Sequence, residues 1–444
     1  MESGSVTSLA KEFKNIVEQV RYNARMIINA TTMVATMVMA GVLGIGFWWL
    51  AARYFTVDQI GIASTAVAAM LLLGEVGVIG FSTMVVGEIP KNREEAPALI
   101  ATAVSVVFVI GGMLGILFAL IAPLLSSDLS IIGSQVDYVL LFALGVGLTS
   151  VSLVVDLSTV GLNRGEYQLW RNAFFSVVKL VLLFLLAKFW IAHTSMTIYA
   201  AWAVGALIAL ALPIVILAQL KFPLRRFQVK RSILKSVSWA VIGHHILNLS
   251  VNGPGMLITV MVTILLSATY AASFYVSWMT TSILYMIPLS LSTSLYAVAS
   301  METHSMAIRL RFSLGSSLLI AISAILVIFV IAGPFLSFFN ETYAEQSTSV
   351  LRVLSLSVLP YTIMMHYVAI ARVYNFTFRA ARLMIVGCVL QLTGIIVGGL
   401  LDSPLSISLG LVISMSLIAL AVTPTVLREA NLLSPSRMAA PVSS

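Results

Sequence analysis

The few ionisable residues inside long apolar stretches of this chain are the first candidates for chemistry. They are Glu75, Asp156, Lys179, His244, His245 and His366. An isolated charge is costly in an apolar medium, so each must be paired, neutral or hydrated. A carboxyl in such surroundings, as at Glu75, is suited to taking up and releasing a proton. The set therefore indicates ion or proton movement, with a purely structural role as the alternative for each residue.

Two of these charges lie on consecutive apolar stretches. Asp156 and Lys179 are each roughly two helical turns from the same end of their stretch. A helical hairpin brings such positions to one level, so the spacing predicts a contact between the two side chains. The contact is either part of an ion pathway or a static salt bridge.

Polar residues also recur at helical spacing. Glu75 follows Thr65 on one stripe of the second stretch, and His245, Asn248 and Asn252 share a stripe of the seventh. Such stripes are costly toward lipid, so they face water or protein. Either they line a cavity, or their small residues let helices pack closely.

The segment Asn252-Gly253-Pro254-Gly255 lies near the middle of the seventh stretch, and Pro288 lies in the eighth. Proline removes a backbone hydrogen bond, and glycine weakens a helix further. The pattern predicts a kink or local unwinding that serves as a hinge, with a static kink as the alternative.

Several kinds of chemistry are not expected. His244-His245 has no carboxylate within two turns in sequence, and Cys388 is the only cysteine, so no metal site is predicted. No phosphate-binding loop is present, which argues against direct use of ATP. The sequence thus predicts no cofactor, no catalytic residue and no enzyme activity.

The composition identifies the elements that hold these residues. Hydrophobic residues make up 60% of the 444 residues, charged residues make up 9%, and the mean hydropathy is +1.04. Twelve apolar stretches, from 27–52 to 405–427, are each long enough to cross a bilayer. Lipid cannot satisfy an open backbone, so the predicted class is an all-α membrane protein.

The basic residues predict the orientation. Most of the 25 lysines and arginines fall on one side of the predicted spans, and the other side holds only Arg53, Lys188 and Arg352. Basic loops stay inside, so both termini are predicted to be cytoplasmic. The net charge of +8 then reflects topology and contact with anionic lipid, and no nucleic-acid partner is expected.

The second half of the chain repeats the first. Arg164 and Arg171 recur as Arg372 and Arg379 at the same offset, with aromatic residues between each pair. The pattern predicts two six-helix bundles related by a pseudo-two-fold axis along the membrane normal, with the substrate site between them. At the cytoplasmic mouth these arginines either attract an anionic headgroup or only set the topology. The predicted divisions are an amphipathic segment 1–26, a bundle 27–219, a basic linker 220–235, a bundle 236–427 and a disordered tail 428–444.

Two short motifs carry a resemblance to a known family. The stretch 52–63, Ala-Arg-Tyr-Phe-Thr-Val-Asp-Gln-Ile-Gly-Ile-Ala, closes the first outer turn, and 161–167, Gly-Leu-Asn-Arg-Gly-Glu-Tyr, follows the fourth span. With the twelve-span layout, they resemble polysaccharide (O-antigen type) flippases of the multidrug/oligosaccharidyl-lipid/polysaccharide exporter superfamily. The resemblance implies that spans 1, 2, 7 and 8 line a central cavity. It also implies a lipid-linked saccharide substrate that is turned from the inner to the outer leaflet.

The charges fit this substrate imperfectly. A diphosphate-linked saccharide calls for cationic groups, yet Lys179 is the only deep cation and Asp156 is expected to neutralise it. Recognition would then rely on polar and aromatic contacts, such as those of Trp278 and Tyr285. The expected function is ion-coupled flipping of a polyprenyl-diphosphate-linked oligosaccharide by alternating access, and the alternative is a cation-coupled drug or organic-cation antiporter.

The expected setting is a prokaryotic plasma membrane, with a proton or sodium gradient as the energy source and other polysaccharide-assembly membrane proteins as partners. A polymerase or ligase would need a substantial outer loop with catalytic groups. The largest outer segments, 125–137 and 339–348, are short and hold no basic residue or histidine.

Overall fold

The structure is a computed structural model that describes residues 39–162, 164, 166–189, 194–213, 228–230, 233, 239–299, 306–374 and 376–432. Helices and turns account for these residues, and none of them forms a strand. The segment 1–26, most of the linker 220–235 and residues 433–444 of the tail 428–444 lie outside the described residues, so these divisions stay predictions.

The described α-helices of the N-terminal bundle come first in the chain. They are α1 (39–54), α2 (Val57–Gly77), α3 (Phe81–Glu88), α4 (Ala96–Leu125), α5 (Ser130–Gly133), α6 (Val136–Gly161), α7 (Glu166–Phe189) and α8 (Ser195–Ala209). The C-terminal bundle follows. Its described helices are α9 (Trp239–Leu265), α10 (Ala268–Ala299), α11 (Met306–Ser337), α12 (Glu341–Leu356), α13 (Val358–Val373), α14 (Thr377–Gly399) and α15 (Pro404–Glu429).

Eleven helices among the described residues are long and apolar enough to cross a membrane. They match the second to twelfth predicted spans, with α12 and α13 together forming one of them. The described part of the first predicted span is also helical, as α1. The all-helical, two-bundle membrane architecture predicted from hydropathy is therefore confirmed.

One local prediction is wrong. The second apolar stretch, 59–86, was expected to form one helix, but Ile79 and Gly80 adopt φ values of 45° and 82°, which divide it into α2 and α3. At Pro254 the sequence predicted a kink or local unwinding. The helix α9 is continuous from Trp239 to Leu265, so it does not unwind there, and the kink stays a prediction. Pro288 is likewise inside a continuous α10. Packing against neighbouring helices keeps these segments helical despite the lost hydrogen bonds.

The two bundles meet where α2 packs against α9 and α10. The backbone of Gly61 lies so close to the carbonyl oxygen of Ala268 that a Cβ there would overlap it. One helical turn along α2, the hydroxyls of Thr65 and Thr263 are 2.5 Å apart. One apolar core continues across this contact from Trp48 on α1 to Tyr275 on α10. We call this contact, formed by Gly61, Thr65, Thr263 and Ala268, the α9–α10 end.

A second pair of contacts fixes the same end. The turn between α9 and α10 places the amide of Ala268 2.8 Å from a carboxylate oxygen of Asp128. Thr269 donates its hydroxyl to Asp58, next to the N-cap Thr56 of α2. The bundles are thus closed against each other here by backbone contacts and hydrogen bonds.

Gly61→Ala should weaken this closure. Inserting a methyl group into a tight contact costs about 1–3 kcal/mol, which shifts a two-state equilibrium by roughly tenfold or more. We expect the α9–α10 end to separate in a larger fraction of molecules. Spin labels at Val136 and Leu401, both exposed near this end, would report a longer distance in a Cys388→Ala background.

The matched control is Gly87→Ala on α3, because a Cβ at Gly87 meets no atom within 4 Å. The distance distribution of this control should equal that of the parent. An unchanged distribution in Gly61→Ala would show that this contact does not limit the closure.

Candidate functional site

A cavity of about 240 Å³ lies inside the C-terminal bundle, enclosed by α9, α10, α13, α14 and α15. The structure brings three residues singled out from the sequence, Asn252, Trp278 and Tyr285, onto its wall. Asn252 is exposed although it lies midway along α9. We call this cavity the C-bundle pocket.

The wall of the C-bundle pocket is aromatic and neutral. The ring of Tyr285 stacks on Tyr361, with centroids 4.2 Å apart and planes 13° apart, and Trp278 meets Tyr285 edge-on at 5.7 Å. The hydroxyl of Tyr285 is 2.6 Å from that of Ser357. No charged side chain among the described residues lines the pocket.

Gln391 on α14 also lines this pocket and was not singled out from the sequence. Its side chain is 2% exposed, and its Nε2 has no hydrogen-bond partner. A single glutamine within the apolar stretch 380–401 was the available signal. Tyr361 was missed as well, because an aromatic residue in an apolar helix is usually core.

The hinge residues have different surroundings. Gly255 faces Trp278 so closely that a Cβ would overlap the indole ring, whereas a Cβ on Gly253 would meet no atom within 4 Å. Pro254 and Pro288 lie inside continuous helices. Gly255 therefore has a packing role in shaping the pocket, and the hinge remains a prediction.

Glu75 and His245 lie on either side of the contact between the bundles. Glu75 is half-buried on α2, two residues before the end of that helix. His245 on α9 is buried, interacts with the backbone of Val76 and has no partner for its Nε2. A carboxyl and an imidazole on opposite bundles could pass a proton when the bundles move.

Asn248 on α9 and His366 on α13 form hydrogen bonds within the C-terminal bundle. Asn248 accepts a hydrogen bond of 3.0 Å from Arg372, whose guanidinium also lies over the ring of Tyr296. His366 is fully buried and is hydrogen-bonded to Ser313 and to the backbone of Thr362. The side chain of His244 is not among those that the structure describes. Asn248 and His366 thus hold helices together.

The predicted contact between Asp156 and Lys179 is wrong. Both carboxylate oxygens of Asp156 bind Arg171, at 2.5 and 2.7 Å, and Asn172 donates to the same carboxylate at 3.0 Å. Arg171 is itself buried, so it does not lie at an aqueous mouth as predicted. The predicted level on α7 was wrong, because this helix begins at Glu166 and not at residue 171. Arg171 is therefore level with Asp156, and Lys179 lies about two helical turns further along α7.

Lys179 instead lies in a cage of aromatic rings. Its Nζ is 3.5 Å from the ring centroid of Trp202, 4.8 Å from that of Phe175 and 5.4 Å from that of Phe47. The side chain is 3% exposed, and it forms no ion pair with any described carboxylate. Cation–π attraction is the interaction that this cage offers to the ammonium group.

The remaining arginines of the repeat are exposed. Arg164 pairs with Glu166 at 3.4 Å and lies over the ring of Tyr167. Arg379 borders a second cavity of about 400 Å³ together with Arg382. Their position leaves them free to contact headgroups or water.

Metal binding has no support in the part of the chain that the structure describes, where no three His, Cys, Asp or Glu side chains converge.

The pair of Asp156 and Arg171 should dominate the stability of the N-terminal bundle. Removing one partner of a buried ion pair costs about 3–5 kcal/mol, so Arg171→Met should lower the melting temperature of the purified protein strongly. The exposed pair is the control, because Arg164→Met should cost only about 0–1 kcal/mol.

The double variant Asp156→Leu with Arg171→Met sharpens this test. It leaves no unpaired buried charge, so it should melt above either single variant. Additive losses in the double variant would contradict the pairing.

No protein-family model matches the sequence, and no curated protein matches it. Solved structures do match over most of the chain. One is a multidrug resistance MATE family transporter of the MOP superfamily in its inward-facing conformation, with 14% identity, a TM-score of 0.66, and coverage of 92% of this chain and 100% of that one. The outward-facing conformation of such a transporter gives a TM-score of 0.62 at 14% identity, covering 92% and 96%.

A third match is a MOP superfamily transporter from Pyrococcus furiosus Vc1, with 14% identity, a TM-score of 0.64, and coverage of 92% and 96%. Its binding pocket is described as having reverse polarity, which suggests a different function. At this identity the likeness concerns the fold. The chain therefore has a MATE-like fold of two helical bundles.

Proposed function

We propose that this protein is a membrane transporter that flips a polyprenyl-diphosphate-linked oligosaccharide from the inner to the outer leaflet for surface polysaccharide assembly. It works by ion-coupled alternating access. The fold supports the transport part of this proposal, because similar structures belong to transporters seen in inward-facing and outward-facing conformations.

The observation that carries the proposal is the environment of Lys179. The sequence alone suggested that Asp156 neutralises this cation, which would leave no deep positive charge for a diphosphate. Asp156 is instead bound by Arg171. Lys179 is therefore left without a described carboxylate partner, and an anionic ligand would supply one.

A buried ammonium without an anionic partner gains most from an anion. Charge-assisted hydrogen bonds to phosphate are roughly twice as strong as neutral ones. Phe47 on α1 and Trp202 on α8 cover Lys179, so the diphosphate reaches it when α1 moves aside. The pocket of reverse polarity in the Pyrococcus transporter is a precedent for a change of charge within this fold.

The alternative is a cation-coupled drug or organic-cation antiporter. A cation site normally needs convergent carboxylates, and Glu75 is the one deep carboxyl among the described residues that lacks an ion-pair partner. The basic exposed face with Arg164, Arg379 and Arg382 also favours an anionic lipid headgroup over a cation. Both termini are then cytoplasmic, in the plasma membrane of a prokaryote.

Lys179→Met should abolish most of the flipping. The substitution keeps an unbranched side chain and removes the charge. Losing a charged hydrogen bond costs about 1.5–3 kcal/mol, so the rate should fall by roughly tenfold to a hundredfold. The measurement is movement of a polyprenyl-diphosphate-linked sugar between leaflets of proteoliposomes.

Lys188→Met is the matched control. Lys188 also lies over phenylalanine rings, those of Phe184 and Phe189, but at the exposed end of α7. Its loss should leave the rate nearly unchanged. If wild-type protein moves no lipid-linked sugar but expels a small organic cation down a gradient, the antiporter is the function.

Glu75→Gln should separate flipping from its energy source. The amide cannot carry a proton, so a pH gradient should no longer accelerate the movement, while slow movement without a gradient should persist. Acceleration equal to that of the wild type would make Glu75 a structural residue and leave the flippase proposal standing.

A further inference from the structure

The amide of Gln391 is the feature of the C-bundle pocket that packing alone does not explain. Its Nε2 is buried, has no hydrogen-bond partner and belongs to a side chain on the pocket wall. A buried donor without an acceptor costs free energy. A ligand that offers an oxygen acceptor would recover this cost.

The aromatic residues show the shape of such a ligand. Tyr285 and Tyr361 form a stacked pair, and Trp278 meets Tyr285 edge-on across the same pocket. The missing Cβ of Gly255 allows the indole to lie directly against α9. The pocket thus combines flat apolar surfaces with the amides of Asn252 and Gln391.

The size of the pocket and the charge of its lining restrict which ligands it can hold. A cavity of about 240 Å³ is smaller than the roughly 300–1,000 Å³ that drug-sized ligands occupy. The described lining carries no charge, so the ligand need not be ionised. A cation without oxygen, such as tetraphenylphosphonium, could use the aromatic faces, but it offers no acceptor to the Gln391 amide.

We propose that the C-bundle pocket binds one neutral pyranose ring of the saccharide. The apolar face of the ring packs on Trp278 or Tyr285, and a ring hydroxyl accepts the hydrogen bond from Nε2 of Gln391. This proposal rests on the flippase function, and it assigns the sugar to the C-terminal bundle while Lys179 in the N-terminal bundle holds the diphosphate.

Binding is tested with the full-length protein in lipid nanodiscs. The probes are methyl pyranosides of glucose, galactose, rhamnose and N-acetylglucosamine, followed by saturation-transfer NMR. At least one pyranoside should bind to the wild type. Gln391→Met, which loses the donor, should weaken that binding by about tenfold.

Two further variants keep the test decisive. Gln391→Leu removes both N–H donors and adds no titratable group, so it should also bind poorly even if Gln391→Met fails to fold. Gln346→Met is the matched control, since Gln346 lies outside the pocket and accepts from Ser273 at 3.2 Å. This control should bind as the wild type does.

Three results would overturn the proposal. The first is that no pyranoside binds, and the second is that wild type and Gln391→Met bind a pyranoside equally well. The third is that tetraphenylphosphonium contacts Trp278 and no pyranoside does.

The transport assay shows whether the sugar-pocket proposal or the flippase proposal has failed. If wild type flips the lipid-linked sugar and Gln391→Met does so equally fast, the pocket assignment is wrong and the function stands. If pyranosides bind through Gln391 but no lipid-linked sugar is flipped, the pocket is a sugar site in a different transporter.

Discussion

The bidentate pairing of Asp156 with Arg171 decides how charge is distributed in the N-terminal bundle. In a lipid environment an unpaired charge is costly, so a carboxylate and a guanidinium that can meet will do so. Asn172 completes the hydrogen bonding of Asp156. With its expected partner occupied, Lys179 is left among aromatic rings. The ion pair therefore leaves Lys179 without a carboxylate partner among the described residues.

The contact between the bundles is built from weaker interactions. At the α9–α10 end, Gly61 meets backbone, and Thr65 meets Thr263 through neutral hydroxyls. The start of α10 also donates hydrogen bonds to Asp58 and Asp128. Hydrogen bonds contribute about 0.5–3 kcal/mol each, compared with about 3–5 kcal/mol for breaking a buried ion pair such as that of the N-terminal bundle. The contact between the bundles is thus made of interactions that are individually weaker than this ion pair. Such a contact suits a molecule whose halves move as rigid bodies.

Much of the architecture was predictable because apolar stretches and basic residues recur regularly along the sequence. Hydropathy located the spans, and the repeated arginines pointed to two bundles. An apolar stretch does not show where its helix begins. Because α7 starts five residues before the predicted span, Asp156 was assigned to Lys179 when Arg171 was its partner. The break at Ile79 and Gly80 depends on local backbone geometry that an apolar stretch does not encode.

The site was less predictable than the fold. Asn252, Trp278 and Tyr285 were found because they stand out on two neighbouring spans. Gln391 and Tyr361 come from distant helices, and only the packing of α13 and α14 against α9 and α10 places them on the same pocket. Their role depends on three-dimensional neighbours, which a single sequence does not specify.

The lipid-facing surface has a consequence for how such chains diverge. Leu124, Val330 and Leu400 are more than 70% exposed, and their neighbours are acyl chains as apolar as they are. Leucine, isoleucine, valine and phenylalanine can replace one another there under little selection. Two chains can therefore share a fold and little sequence, as the structure with a TM-score of 0.66 at 14% identity does with this one. Ancestry in such chains is better traced through buried small and polar residues than through overall sequence similarity.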